Sequence, residues 1–224
     1  ELDSIAPVAP VISTVQDNTA PTTGPIGNGQ TTNETRPALS GSGEVGATIT
    51  VLSDGLPIGT TTVGAGGTWS FTPTDALGNG THTLTVTATD SAGNTSPASN
   101  GFTLTVDTVS PNAPLITQVT DDVGPLTGNL NNGQATNDAR PTLSGTAEAN
   151  STVKIYDNGT LIDTVSADGG GAWIFTPGTA LSNGNHTLTV TATDAAGNVS
   201  STSAGSNIVV DTVAPLAPTI IQAF

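Results

Sequence analysis

The residues best suited to chemistry in this chain are carboxylates, and they recur. Asp3, Glu44 and Asp90 reappear in the same order, 104 residues later, as Asp107, Glu148 and Asp194. Little in the chain neutralises them, since 3 Lys plus Arg face 18 Asp plus Glu and the formal net charge is −15. Carboxylates brought together without a counter-charge repel one another, so a cation is the economical partner. An all-oxygen ligand set without His or Cys selects Ca2+ over zinc or copper. A second acidic group, Asp17 and Glu34 in the first period and Asp121, Asp122 and Asp138 in the second, falls in one long connection of each. A further Ca2+ would fasten that connection. The alternative for both groups is solvated turn residues bonding their own backbone.

Other chemistries find less support. The chain has no Cys, which removes disulfides, thiolate metal sites and a cysteine nucleophile. Its two histidines, His82 and His186, begin the same repeated strand in separate periods, a pattern of structural residues rather than catalysts. No G-x-S-x-G elbow occurs, and the glycines at 64–67 and 169–171 open no helix, so they read as hairpin turns and not phosphate cradles. No enzyme is expected. The negative charge disfavours nucleic acid and anionic membrane surfaces, and no apolar run reaches the roughly 18 residues of a membrane span. Only 9% of residues are charged while 34% are hydrophobic, so a packed fold is expected rather than a charge-driven disordered chain.

The elements that must position the carboxylates follow from the repeat. HTLTVTATD stands at 82–90 and again, unchanged, at 186–194, and Trp69, Phe71 and Arg36 recur at the same spacing as Trp173, Phe175 and Arg140. Within a period Leu84, Val86 and Ala88 alternate with threonines, the period of two that marks a half-buried strand. About seven such strands fit the first period, near 11–16, 36–42, 48–53, 57–63, 68–72, 82–90 and 102–107. Seven alternating strands in about 100 residues is the arithmetic of an immunoglobulin-like sandwich. The fold expected is therefore all-β, two tandem immunoglobulin-like β-sandwich domains, with the tryptophans as core residues in place of the usual disulfide. Because each strand reverses direction, Glu44 and Asp90 fall at the pole where Asp3 enters, and the second acidic group at the opposite pole.

The junction Asp3-Ser4-Ile5-Ala6-Pro7 matches Asp107-Thr108-Val109-Ser110-Pro111 and Asp211-Thr212-Val213-Ala214-Pro215. The expected division is 1–6 as the end of a preceding repeat, 7–107 as the first domain, 108–110 as linker, 111–211 as the second domain and 212–224 as the start of another repeat. With no Met in the chain, this reads as a piece of a longer tandem array.

The succession of D-[ST]-[IV]-[AS]-P, RP-x-LSG-x-x-E, W-x-FTP and HTLTVTATD-x-AGN resembles the bacterial Ig-like tandem repeats of giant type I-secreted adhesins, of the SiiE and BapA kind. The likeness covers the whole chain, and TATD-x-AGN is its most specific part. It implies a secreted, surface-retained rod of repeats, stiffened by Ca2+ at the junctions, that carries a distal adhesive region in biofilm formation or virulence. Its partners would be neighbouring repeats of the same chain, with host cells or other adhesin molecules possible at a distance, and the chain would be monomeric. The competing reading is a ligand-binding module for a glycan, a host receptor or a neighbouring adhesin, marked by positions that differ between periods. Ser53-Asp54 against Asp157-Asn158 and Gly59 against Asp163 are such differences, and they look like drift on a scaffold.

Overall fold

The computed structural model describes residues 3–219, and all their regular secondary structure is strand. The chain divides into two compact units, Glu1–Val109 with Ala195–Asn198, and Ser110–Asp194 with Val199–Phe224. The stretches 1–6 and 212–224 assigned to neighbouring repeats lie in part outside the described residues.

The first unit runs β1 (Val11–Asp17), β2 (Gly24–Pro25), β3 (Thr31–Thr32), β4 (Ala38–Ser42), β5 (Thr48–Ser53), β6 (Leu56–Thr62), β7 (Thr68–Phe71), β8 (Gly80–Thr89) and β9 (Phe102–Val106). The second repeats the order as β10 (Leu115–Asp121), β11 (Gly128–Asn129), β12 (Gln134–Thr136), β13 (Thr142–Thr146), β14 (Thr152–Asp157), β15 (Thr160–Ser166), β16 (Ala172–Phe175), β17 (Gly184–Thr193) and β18 (Ser206–Val210). Each unit is two facing sheets, ordered β2-β1-β4-β7 and β3-β9-β8-β5-β6 in the first and equivalently in the second. The seven alternating segments are all strands. The long connection after β1 contributes two more short ones: β2 pairs antiparallel with β1, and β3 pairs parallel with β9.

Alternation does the building. Leu84, Val86 and Ala88 are fully buried while the threonines between them line the outer face. They meet Ile49, Val51, Leu39, Val15 and Leu104 from the other strands, all within 1% of complete burial. Each such aliphatic side chain contributes about 1.5–3 kcal/mol by leaving water. Trp69 and Trp173 are 3% exposed and fill the middle of each sandwich. Their rings lie against glycines: a Cβ on Gly41 or Gly145 would sit 2.5 Å from the Cζ2 atom of Trp69 or Trp173. The strand-to-strand turns Asp54-Gly55 and Asn158-Gly159 take positive φ at both central residues, the geometry that matches the twist of a two-residue hairpin.

Candidate functional site

At the pole where the chain enters the first unit, Asp90 follows β8 and begins a tight loop. Its Oδ1 accepts the backbone N–H groups of Ala92 and Asn94, both at 2.9 Å, and its Oδ2 accepts the Asn94 side-chain amide at 2.8 Å. The same amide reaches the Asp3 backbone carbonyl at 3.2 Å, so one side chain ties the entering segment to the Asp90 loop. Asp3 Oδ1 accepts the Ile5 N–H at 3.0 Å. Glu44 is exposed in the turn between β4 and β5, where its carbonyl accepts the Ala47 N–H. In the second period Asp107 Oδ1 accepts the Val109 N–H at 3.0 Å, Glu148 is exposed with its carbonyl accepting from Ser151, and Asp194 follows β17 as Asp90 follows β8. The donors at this pole are all oxygens, which suits a hard cation. Among the described residues no three acidic or histidine side chains are gathered into one ready cluster.

Hydrogen bonds from the loop hold the Asp90 carboxyl below the ordinary aspartate range, the Asn94 side chain being the largest cause. The Asp54 carboxyl is also lowered, chiefly by the Thr83 backbone N–H at 2.8 Å and less by His82. A carboxyl whose folded pKa is depressed stabilises the fold above its unfolded value and loses that contribution as pH falls through the folded value. The melting temperature of the first unit should therefore hold from neutrality to about pH 4, the unfolded aspartate range, and drop below it. In Asp54→Asn and Asp90→Asn that drop should be shallower, as thermal melts between pH 6 and 2 would show.

The second acidic group is placed differently. Asp17, at the end of β1, and Glu34, just before β4, are buried, and each of their carboxylate oxygens accepts a hydrogen bond. Thr32 Oγ1 donates to Asp17 Oδ2 at 2.6 Å while accepting from the Glu34 N–H, and the Thr19 N–H donates to Asp17 Oδ1. Asn18 N–H and Thr19 Oγ1 reach Glu34 Oε2, and the Arg36 N–H reaches Glu34 Oε1. In the second unit Asp121 and Asp138 repeat this through Thr136, Val123 and Arg140, and the exposed Asp122 contributes only its N–H, to Asp138. The connection is thus fastened by its own backbone and threonine donors, and Thr32 and Thr136 are functional members that the carboxylate pattern alone did not reveal. The signal available was the spacing T-x-[ED] in both periods.

The histidines are built into the same pole as this second acidic group, away from Asp90 and Asp194. His186 is buried, its Nδ1 2.8 Å from Asp157 Oδ2 and its Nε2 2.8 Å from the Ser182 carbonyl. His82 Nδ1 lies 3.0 Å from Ser53 Oγ and 3.2 Å from Asp54 Oδ2, while Nε2 is 2.8 Å from the Gly78 carbonyl. The fold does bring a serine, a histidine and an aspartate together. A nucleophile relay, however, needs the acid on one ring nitrogen and the serine on the other, and here both fall on Nδ1 with Nε2 already engaged.

A family profile described as bacterial Ig-like domain matches residues 8–108 and 114–212. Among solved structures, fibronectin(III)-like modules of Clostridium thermocellum CbhA align over 90% of this chain and 93% of theirs at 17% identity and TM-score 0.48. A biofilm associated protein BSP domain aligns over 84% of this chain and 29% of its own at 26% identity and TM-score 0.32. A tetra-tandem repeat from the extending region of a large adhesion protein aligns over 95% of this chain and 59% of its own at 22% identity and TM-score 0.35. No curated protein matches the chain.

Proposed function

The chain belongs to the bacterial Ig-like domain family, and from that premise we propose that it is a structural segment of a cell-surface adhesin stalk whose junctions bind Ca2+. The observation that carries this reading is the repetition itself: two periods of one length, built as the same sandwich in each unit. A scaffold is what unchanged core, turn and carboxylate positions serve, whereas recognition asks for difference. In this reading Asp3, Glu44 and Asp90 supply oxygen ligands at one end of a repeat, and Asp107, Glu148 and Asp194 do so one period on. The ion neutralises charge that the chain's few basic residues leave uncompensated, and it limits swinging about the short linkers that Pro7 and Pro111 already restrict. The same reading makes the parent a secreted giant adhesin of the SiiE or BapA kind, exported by a type I system. Domains of this fold are typically non-enzymatic, and no catalytic role is proposed.

Small-angle scattering and thermal melts of the whole chain, with excess CaCl2 and then with EDTA, test the proposal. The radius of gyration should change on chelation. Stability should rise by about 2.7 kcal/mol at a hundredfold excess of ion over its dissociation constant. Identical scattering and melting in both buffers would remove Ca2+ from the account. With Asp90→Asn and Asp194→Asn together, both responses should shrink.

A further inference from the structure

Asparagine followed by glycine is the dipeptide at which a chain most readily modifies itself, because the glycine, lacking a Cβ, lets its own nitrogen approach the asparagine Cγ. The chain holds six such pairs, beginning at Asn28, Asn79, Asn100, Asn132, Asn158 and Asn183. All six asparagines are exposed, so access to water does not separate them. Hydrogen bonding does.

At five of the six the side-chain carbonyl is held by a residue distant in sequence. Asn28, Asn79, Asn132 and Asn183 each accept two hydrogen bonds on Oδ1, at distances between 2.7 and 3.2 Å. Asn158 is held at both ends, its Oδ1 accepting the Thr187 N–H at 3.0 Å and its amide donating to the Asn185 carbonyl at 3.1 Å. The glycine nitrogens are engaged too: Gly29 and Gly133 donate to carbonyls at 2.8 and 2.7 Å, and Gly80 and Gly184 lie within strand ladders.

Asn100 has none of this. It stands with Gly101 in the loop between β8 and β9, and among the described residues neither its side-chain amide nor the Gly101 N–H makes a hydrogen bond. What is bonded is the peptide group between the two residues. The Val86 N–H donates to Ser99 Oγ at 3.1 Å, which leaves the serine proton for the Asn100 backbone carbonyl oxygen, 2.9 Å away. That carbonyl is conjugated with the Gly101 nitrogen. A donor on the oxygen stabilises the negative charge that spreads to it when the nitrogen is deprotonated, so Ser99 readies the nitrogen for attack.

We propose that Asn100 is a site of spontaneous self-modification, at which the Gly101 nitrogen attacks Asn100 Cγ and the side-chain amide is exchanged for a carboxylate. The nitrogen loses its proton to water or hydroxide, the N–Cγ bond forms, the Cγ–Nδ2 bond breaks, and ammonia leaves after taking a proton from water. Water then opens the five-membered imide at either carbonyl, giving aspartate or isoaspartate. Nothing is oxidised or reduced, and water is the co-reactant. The product carries one more negative charge. Its isoaspartate form also lengthens the main chain by one carbon just before β9, whose pairing begins with Phe102 opposite Leu84. The second unit keeps the serine and the glycine, with Ser203 Oγ 2.8–3.0 Å class bonding replaced by its own contact to the Ala204 carbonyl at 2.9 Å, and has no amide there to lose.

The test is incubation of the whole chain at neutral and at mildly alkaline pH, followed by digestion and peptide mapping by mass spectrometry. The expected result is the mass change of an amide becoming an acid at Asn100, at least about tenfold faster than at any of the other five pairs, the ratio that about 1.4 kcal/mol of barrier sets. Isoaspartate should elute beside aspartate, and the rate should rise with pH because the attacking nitrogen is deprotonated. Ser99→Ala should slow the conversion severalfold with the rest of the map unchanged. Equal rates at all six pairs, faster conversion at another pair, or aspartate without isoaspartate overturns the proposal, and an unslowed Ser99→Ala overturns the part given to the serine. The ranking of the six pairs in the parent chain needs no variant, so it decides the proposal even if Ser99→Ala fails to fold. None of these outcomes bears on Ca2+ at the junctions.

Discussion

Alanine in place of Gly145 is expected to be, with its counterpart at Gly41, among the most damaging single methyl groups that can be added to this chain. The new Cβ would overlap the Leu115 carbonyl oxygen of the adjoining strand and approach Trp173 Cζ2 to 2.5 Å. Neither neighbour has room to yield. The carbonyl belongs to the β10–β13 pairing, in which Leu115 faces Thr146 and Ile116 faces Gly145, and the indole is packed in the centre of the core. Overpacking a well-filled core costs about 1–3 kcal/mol and occasionally more, and a clash with backbone and ring together belongs at the top of that range. For a domain of this size a loss of about 3 kcal/mol lowers the melting temperature by at least about 10 °C. Gly169→Ala, where a Cβ meets nothing within 4 Å, is the control and should stay within about 0.5 kcal/mol of the parent. Urea unfolding of both variants checks the contrast, and a Gly145→Ala midpoint equal to that of the control would refute the packing argument. Gly41→Ala should do the same to the first unit.

Asp121→Ala should come next. The substitution strands the Thr136 hydroxyl, which the carboxylate now receives at 2.6 Å, in a place where water does not replace it: Asp121 is 4% exposed and Thr136 is 5%. The Val123 N–H, received at 2.8 Å, also loses its acceptor, but Val123 is exposed and water takes over there. At about 1–3 kcal/mol for the buried donor left unpaired, the loss is roughly 2–3 kcal/mol. The consequence is local as well as global. Thr136 passes the interaction on to the Asp138 N–H, so hydrogen exchange at Val123 and Asp138 should accelerate more than exchange in β17. Asp121→Asn, which keeps the Oδ1 acceptor, should lose less. A melting curve for Asp121→Ala within 0.5 kcal/mol of the parent would mean that the network is ornamental and that some other agent holds the connection.

The strands were legible because threonine alternates with Leu, Val and Ala, and the poles because hairpins alternate direction. What escaped reading is what periodicity cannot carry. Gly24–Pro25 and Thr31–Thr32 are strands of two residues each, too short for any alternation, and they exist because β1 and β9 offer them unpaired edges. The buried carboxylates were located in the right connection, yet their partners were invisible until folding brought Thr32 back beside Asp17, fifteen positions away in sequence. The differences between the repeats show the same limit from the other side. Ser53 against Asp157 and Gly59 against Asp163 could be seen as differences, but only the adjacency of a hairpin to the connection after β16 makes them one place. His82 was read as a structural residue, but its partners could not be read: the fold seats Ser53 and Asp54 beside Nδ1 and the Gly78 carbonyl on Nε2, an arrangement useless for a relay.

The parallel pairing of β3 with β9 has a mechanical consequence. β9 is flanked antiparallel by β8 and parallel by β3, through Thr31 opposite Thr105 and Thr32 opposite Val106, and β18 is flanked likewise by β17 and β12. Tension drawn through the ends of a unit runs along this last strand, crosswise to its hydrogen bonds on both flanks. They must rupture together in shear instead of unzipping one after another, so each unit should yield abruptly at a high load.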